Sequence, residues 1–391
     1  MKKISILIAV RNEEEIILSC LENLQLAINE FYKEEQNKTN FKIEILIGDD
    51  DSSDKSAEII KNFINRNQDS DYKYFKIEKN NNEKRNQNNL KGKVNVIHQL
   101  INYSEGETII LLDADILVNP NWLKELLKNY YQNDEIKMVM GTTIPRANEE
   151  SFPIVGVLAK RHQQPMFVVF QIIDWIFGQG IFSIFSKLGF PQTAMGNNLI
   201  FDKKIYQELG GYEKIEFSVT EDVALFKAFQ KHCRQQRQEQ NCQTLQSVRQ
   251  LKSTLFFLQL FNSQSLAYTE AEPTLKDWIL QRHRWFCGAW QFSNFFKKGI
   301  LLTYLFRIIF LIGIVVGIVL SGNSYLSLVV FLALGINFLL IISFFIKLKL
   351  KISLVTLLSI LIFCFIEPFL YALVGIHFLK TKKVKWKERE F

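Results

Sequence analysis

Acidic residues recur at three places in the first two thirds of this 391-residue chain, each where an apolar run ends or a helix begins. Asp49-Asp50-Asp51 closes one apolar run, Asp113-Ala114-Asp115 closes another, and Thr220-Glu221-Asp222 precedes a helical pattern. An open α/β sheet places its ligand crevice at such strand ends. Asp113 and Asp115 stand two apart after residues 109–112, so their carboxylates can converge on one hard cation, Mg2+ or Mn2+, that also meets a substrate phosphate. Such an ion neutralises charge on a departing diphosphate. The alternative for this pair is a solvated turn that carries two acids.

The other candidates have equally definite chemistry. Three consecutive carboxylates at residues 49–51 repel one another, which favours a ligand for a base or ribose, while capping of the next helix by Ser53 or Asp54 is the plainer reading. Lys93 follows Gly92, where a backbone without a Cβ lets an ammonium approach a phosphate; a surface lysine is the alternative for both Lys91 and Lys93. Asp222 suits a general base whose pKa rises in an enclosed acidic site, or else Thr220 caps a helix and Glu221 and Asp222 favour its dipole. Gln281, Arg284 and Trp285 share one face of a helix, so an amide, a phosphate-binding guanidinium and a sugar-stacking indole meet one ligand. An interfacial helix with Arg and Trp at lipid headgroups gives the same pattern.

Positioning these groups calls for a parallel sheet. Residues 4–10, 43–47, 74–78 and 108–112 read as buried strands, separated by helical patterns at 14–33, 55–65 and 94–103. Residues 80–89, with six asparagines, read as a mobile loop entering the crevice, and 231–252 as a polar insertion. The whole catalytic domain then occupies residues 1–275 and interfacial helices occupy 276–298. The run 166–190, apolar but carrying Asp174, reads equally as an interfacial flap against bilayer or lipid acceptor and as a buried core helix.

The C-terminal third has a different character. Segments 301–320, 325–346 and 352–379 reach the roughly 20 apolar residues needed to cross a bilayer, which gives a transmembrane region over 299–380 and a basic tail over 381–391. Three lysine-rich clusters, Lys297-Lys298, Lys347 to Lys351 and the tail, cannot all face the cytoplasm after three full crossings. Either the tail is an exception or the third segment is a re-entrant hairpin turning at Glu367-Pro368.

The net charge of +7 sits largely beside the apolar segments, which favours anionic lipid over nucleic acid as the partner. Five scattered cysteines without a CxxC pair exclude a disulfide framework and a thiolate zinc site. The five histidines do not cluster along the chain.

Taken together, residues 4–14 (ISILIAVRNEE), the DDDSSD run, Lys93, LDAD at 112–115, Gly196-Asn197-Asn198, TED at 220–222 and QRHRW at 281–285 resemble the inverting glycosyltransferases of family 2 over about residues 1–290. The resemblance implies a GT-A fold, a Rossmann-like and mostly parallel α/β sheet, with a nucleotide-diphosphate sugar donor and Mg2+ or Mn2+. It places Asp49 and Asp50 at the nucleoside, Lys93 and Asp113 at the donor, and Asp113 with Asp115 at the metal. Asp222 becomes the base, and Gln281, Arg284, Trp285, Glu221 and Asn198 serve the acceptor and diphosphate. Two positions depart from the pattern: Asp51 stands where glycine is common and His98 where asparagine is frequent. The expected activity is transfer of one sugar, from a UDP-sugar, to a membrane lipid or lipid-linked acceptor by a multi-pass protein with a cytoplasmic catalytic domain. A processive polysaccharide synthase, a nucleotidyltransferase and an inactive membrane scaffold are the alternatives.

Overall fold

Alternation along the first strand decides the architecture. In β1 (Lys2–Val10), Ile4, Ile6 and Ile8 enter one hydrophobic core and Leu7 another, because successive side chains of a strand leave opposite faces. In β4 (Thr108–Asp113), Ile110 and Leu112 join the first core, Ile109 and Leu111 the second. A sheet apolar on both faces must be covered twice. Helices α1 (Ile17–Tyr32), α3 (Ser56–Arg66) and α5 (Trp122–Tyr130) cover one face, and α4 (Lys93–Tyr103), α7 (Lys203–Glu208) and α8 (Glu221–Gln243) cover the other. A short α2 (Glu35–Asn40) precedes the second strand. The computed structural model describes residues 1–77, 90–146, 165–243, 256–291, 299, 312–313, 316–317, 324–381, 385–386 and 389–390.

The main sheet has seven strands. With β2 (Phe41–Asp49), β3 (Tyr72–Lys76), β6 (Met138–Met140), β8 (Asn198–Asp202) and β9 (Phe257–Gln259), its order is β3-β2-β1-β4-β8-β6-β9. Every neighbouring pair is parallel except those made by β8, so the sheet is mostly parallel as expected. The chain moves outward from β1 to β2 and β3, then returns to the opposite side of β1 with β4. That reversal opens a crevice at the carboxyl ends of β1 and β4. The register pairs Val10 with Asp49 and Ala9 with Asp113, which sets two of the acidic clusters on either side of the first strand's end. A second sheet of β5 (Leu117–Val118), β10 (Leu266–Thr269) and β7 (Thr142–Pro145) lies beyond it.

The expected strands and helices of the first 113 residues are present, each within a few residues of its expected bounds. Residues 78 and 80–89, and with them the expected mobile loop, lie outside the described residues. The polar insertion differs from expectation. Up to Gln243 it is the continuation of α8, since Gln, Arg, Lys and Glu are good helix formers even without an apolar face; residues 244–252 lie outside the described part.

The run at 166–190 is a packed helix, α6 (Pro165–Lys187), rather than a flap. Ile173 and Ile176 join a third core with Ile144, Phe261 and Leu266 of the catalytic domain and with residues of two C-terminal helices. These are α10 (Ser324–Lys347), which supplies Leu334, Ile341, Phe344 and Phe345, and α11 (Leu354–Lys380), which supplies Ile360 and Phe363. The second and third apolar segments are therefore single helices, whereas 301–320 lies outside the described residues except for four helical positions. Among the described residues, α6 from Met166 and α11 are long and apolar enough to cross a membrane. The hairpin at Glu367-Pro368 is not formed: α11 runs unbroken through Pro368. A helix keeps all but the one bond proline forfeits, and a turn in apolar surroundings forfeits several. Ser353 and Thr356 start this helix with a reciprocal capping box. Of the basic tail, Lys385–Trp386 and Arg389–Glu390 form two short antiparallel strands, β11 and β12.

Candidate active site

The loops that follow β1 and β2 are laced together by side chains that the sequence had offered for other work. Asn12, at φ 53°, accepts from Ser53 N through Oδ1 at 2.8 Å, and Glu13 N donates to Ser56 Oγ at 2.8 Å. Asp54 accepts from Glu14 N and Ser56 N, both at 3.0 Å, so this carboxylate, and not Ser53, satisfies the start of α3. Asp49 is buried: its Oδ1 accepts from Ser52 N at 2.9 Å and its Oδ2 from the Tyr74 hydroxyl at 2.7 Å. It shapes the turn that presents Asp50, which faces the crevice and takes Arg11 Nη1 at 3.4 Å. Asp51 adopts φ 60°, the left-handed conformation that explains why glycine suits this position.

A cavity of about 780 Å³ spans this crevice and gathers Arg11, Asp50, Lys93, Asp113, Asp115, Glu221, Asp222, Gln281, Arg284 and Trp285 on one wall or another. Residues separated by more than 200 positions thus meet. Two expected site residues do not reach it. Asp49 is held in its turn, and Asn198 is fully buried with Oδ1 accepting from Trp122 Nε1 at 2.8 Å, because alternation in β8 sends it into the core. Its neighbour Asn197 lines the cavity in its place.

Acids outnumber bases along the cavity: Glu13, Asp50, Asp113, Asp115, Glu221, Asp222 and Glu272 face Arg11, Lys93, Lys227 and Arg284. Lys93 Nζ lies 2.7 Å from Asp113 Oδ1 and 3.1 Å from Glu221 Oε1. Burial opposes its charge, but the two carboxylates hold it protonated well above the usual lysine range. Burial likewise acts to raise Glu221, and the charges of Lys93 and Arg284 overcome it, so that this carboxyl titrates low. Asp222 has the opposite balance. Burial, then the neighbouring Glu221 charge, pushes it up to about 6, although Gly196 N donates to its Oδ2 at 2.9 Å. Asp115 is also pushed up to about 6, by burial and by Asp113, while Thr269 Oγ1 donates to it at 2.8 Å.

Among the described residues no group of three or more His, Cys, Asp or Glu side chains is placed to hold a metal by itself. Asp113 and Asp115 nonetheless fit a divalent ion. Both line the cavity, both are hard oxygen donors, and the burial and Asp113 charge that push the Asp115 carboxyl up would be offset by a bound cation. Mg2+ commonly takes one or two carboxylates and completes its shell with substrate phosphate and water.

The helix α9 (Leu275–Gln291) forms the opposite wall. Gln281, Arg284 and Trp285 all face the cavity, as their spacing predicts. Gln281 donates to Glu272, a cavity residue with no sequence signal; burial raises its carboxyl despite Arg282 nearby. Sequence reasoning also missed Thr193, Lys227 and Thr269, which lie outside any spaced motif, and gave no role to Arg11, although it lies in the 4–14 run. The histidines, expected to be separate, include one pair in contact: His283 and His377 rings are 4.7 Å apart where α9 meets α11. His98 turns to the Tyr206 hydroxyl at 3.0 Å and does not line the cavity. His162 lies outside the described residues.

Comparison with known proteins gives the chain's family. A 4,4'-diaponeurosporenoate glycosyltransferase from Staphylococcus haemolyticus is 24% identical over 232 residues, 59% of this chain and 52% of the relative, so the chain matches about half that protein's length. Among solved structures, a mannosyltransferase from Pyrobaculum calidifontis in complex with GDP-Man and Mn2+ is similar at a TM-score of 0.45 and 12% identity, over 73% of this chain and 62% of that one. Glucosyl-3-phosphoglycerate synthase from Mycobacterium tuberculosis, in complex with Mn2+, UDP-glucose and phosphoglyceric acid, gives 0.43 and 10% over 74% and 79%. The profile "Glycosyl transferase family 2" matches residues 5–155, and "Glycosyl transferase family group 2" matches 108–375, more than half of the chain and including α10 and most of α11. The chain belongs to glycosyl transferase family group 2.

Proposed function

We propose that this protein is an inverting glycosyltransferase that moves one sugar from a nucleotide-diphosphate sugar, a UDP-sugar, to a lipid or lipid-linked acceptor at a membrane, with its catalytic domain on the cytoplasmic face. The observation that carries the reading is the meeting of Asp222, the Lys93–Asp113 pair, Asp115 and the Gln281-Arg284-Trp285 face around one cavity. Arg11 and Asp50 line the end of that cavity beside β1 and suit the nucleoside, a role for which Asp49 supplies the turn. Lys93 and Arg284 supply fixed positive charge for the diphosphate. Asp113 and Asp115 would hold Mg2+ or Mn2+, whose Lewis acidity stabilises the leaving group.

In the transfer, Asp222 takes the proton of the acceptor hydroxyl as its oxygen bonds to the anomeric carbon. The bond from that carbon to the diphosphate breaks, and the nucleoside diphosphate departs with the electron pair. Displacement in a single step inverts the anomeric centre, through a transition state of oxocarbenium character. Trp285 and Trp175 offer apolar rings to a sugar or lipid face.

Addition of one sugar is favoured over polymerisation because the three apolar C-terminal segments of one chain are few to enclose a polar channel for a growing glycan. The apolar surfaces of α6, α10 and α11, with Phe185, Phe331, Leu339, Leu354 and Leu379 exposed, support a membrane setting. Mass spectrometry of lipid extracts from cells with and without the active gene tests the reading. One new glycolipid is expected. A ladder of long glycans would replace it with the processive synthase.

A further inference from the structure

Asp174 was set apart by the sequence as the one acid in an apolar run, and the family motifs leave it without a role. In the structure it is the hub of three helices. Arg282 Nε and Nη2 donate to its Oδ2 at 3.0 and 2.5 Å, with the two side chains only 4% and 5% exposed. Tyr371, from the middle of α11, donates its hydroxyl to Asp174 Oδ1 at 2.8 Å. The guanidinium in turn sits among three indoles, 4.2 Å from the centre of Trp285, 5.0 Å from Trp278 and 5.8 Å from Trp175. It also donates to Gln281 Oε1.

None of Asp174, Arg282 and Tyr371 lines the cavity, yet three groups that Arg282 contacts, Trp175, Gln281 and Trp285, do. Trp175 and Trp285 meet edge to face at 5.2 Å and 76°. A second tie runs alongside: the Gln171 side chain bonds both backbone groups of Glu272, at 2.9 and 2.8 Å, and Glu272 receives Gln281. A buried ion pair is a poor source of stability, because desolvation offsets most of its attraction and apolar residues of similar volume serve as well. Its directional bonds do fix geometry.

We infer that Asp174 and Tyr371 are positioning residues: through Arg282 they orient Trp175, Gln281 and Trp285, so the seating of α11 sets the shape of the cavity wall that receives the acceptor. The inference rests on the glycosyl transfer proposed above for its kinetic part and stands apart from it in its spectroscopic part. Substitution Tyr371→Phe removes one hydrogen bond at nearly constant volume, so the fold is retained.

The full-length protein in lipid nanodiscs is compared with Tyr371→Phe and Asp174→Asn for donor KM, acceptor KM and near-ultraviolet circular dichroism. Tyr371→Phe is expected to raise acceptor KM about 10-fold with donor KM unchanged, and to weaken the dichroism band from the Trp175–Trp285 contact. Asp174→Asn, which leaves Arg282 short of its counter-charge, is expected to do both more strongly. An unchanged acceptor KM and an unchanged band in Tyr371→Phe overturn the inference, as does an equal rise in donor and acceptor KM. If the wild-type protein transfers no sugar, the functional proposal fails, while the band, read without substrate, still decides the positioning.

Discussion

Gly288 and Thr220 are packed so closely that a Cβ added to the glycine would fall 1.8 Å from the threonine hydroxyl and 2.7 Å from its Cβ. The contact joins α9, which carries Gln281, Arg284 and Trp285, to the turn that starts α8 and carries Asp222. Any side chain at 288 must push the two elements apart. Gly288→Ala is expected to lower kcat/KM by about 100-fold, the cost of misplacing reacting groups by about 1 Å. Adding Thr220→Ala should restore part of the loss in a double-mutant cycle. Strict additivity of the two changes would show that the contact does not set the helix position.

In the proposed transfer Asp222 must be ionised to take a proton, and burial with the Glu221 charge pushes its carboxyl up to about 6. Initial rates under subsaturating substrate should therefore rise about tenfold per pH unit below that value and level off above it. Asp222→Asn is expected to lower kcat by about 10² to 10⁴. Undiminished transfer in the Asn variant would instead favour nucleotidyl transfer. The same shift acts on stability with the opposite preference. The folded pKa lies above the unfolded one, near 3.9, so the group destabilises the unliganded fold progressively as pH rises from about 4 to about 6. Thermal melts of Asp222→Asn should lose that part of the pH dependence.

Asp113 and Asp115 predict a divalent-ion requirement with a particular signature. Chelation should abolish transfer, and Mn2+ or Mg2+ should restore it. Asp115→Asn keeps the volume and the reach of Thr269 but halves the charged donor set. Calorimetric titration with Mn2+ and nucleoside diphosphate should show affinity weakened by about 100-fold or more, several kcal/mol being the usual contribution of such an ion. Equal affinity in the variant and the parent would remove Asp115 from the metal site.

Asp51 offers a test of backbone strain separate from chemistry. At φ 60°, a β-branched residue is disfavoured and glycine is at ease. Asp51→Val is expected to cost about 1–2 kcal/mol in denaturant unfolding. Asp51→Gly should be neutral or slightly stabilising. A loss in Asp51→Gly as large as in Asp51→Val would mean that the Asp side chain, not the backbone, matters at this turn.

Much of the site was legible in the sequence because its chemistry falls where periodicity breaks. The period-two alternation of Ile4, Ile6 and Ile8 specified a strand, and the acids at 49–51 and 113–115 stood where such strands end. The 281, 284 and 285 spacing specified one helical face whatever the surroundings. Local spacing could not say which acid of a run turns inward. Asp49 and Asp50 differ only in register, and the hydrogen bond from Tyr74, on a strand 25 positions away, decided between them. Asn198 was lost to the core for the same reason, since Trp122 claims it. Nor could composition distinguish a flap from a packed helix at 165–187. That depended on Asp174 finding Arg282 and Tyr371, partners 108 and 197 residues away. Sequence thus determined the strands and helices of the first 113 residues and the chemistry of the spaced motifs, because those follow from short-range sterics and hydrophobic periodicity. Tertiary structure decided which side chains share the cavity, because burial and hydrogen-bond satisfaction are set by neighbours the chain meets only on folding.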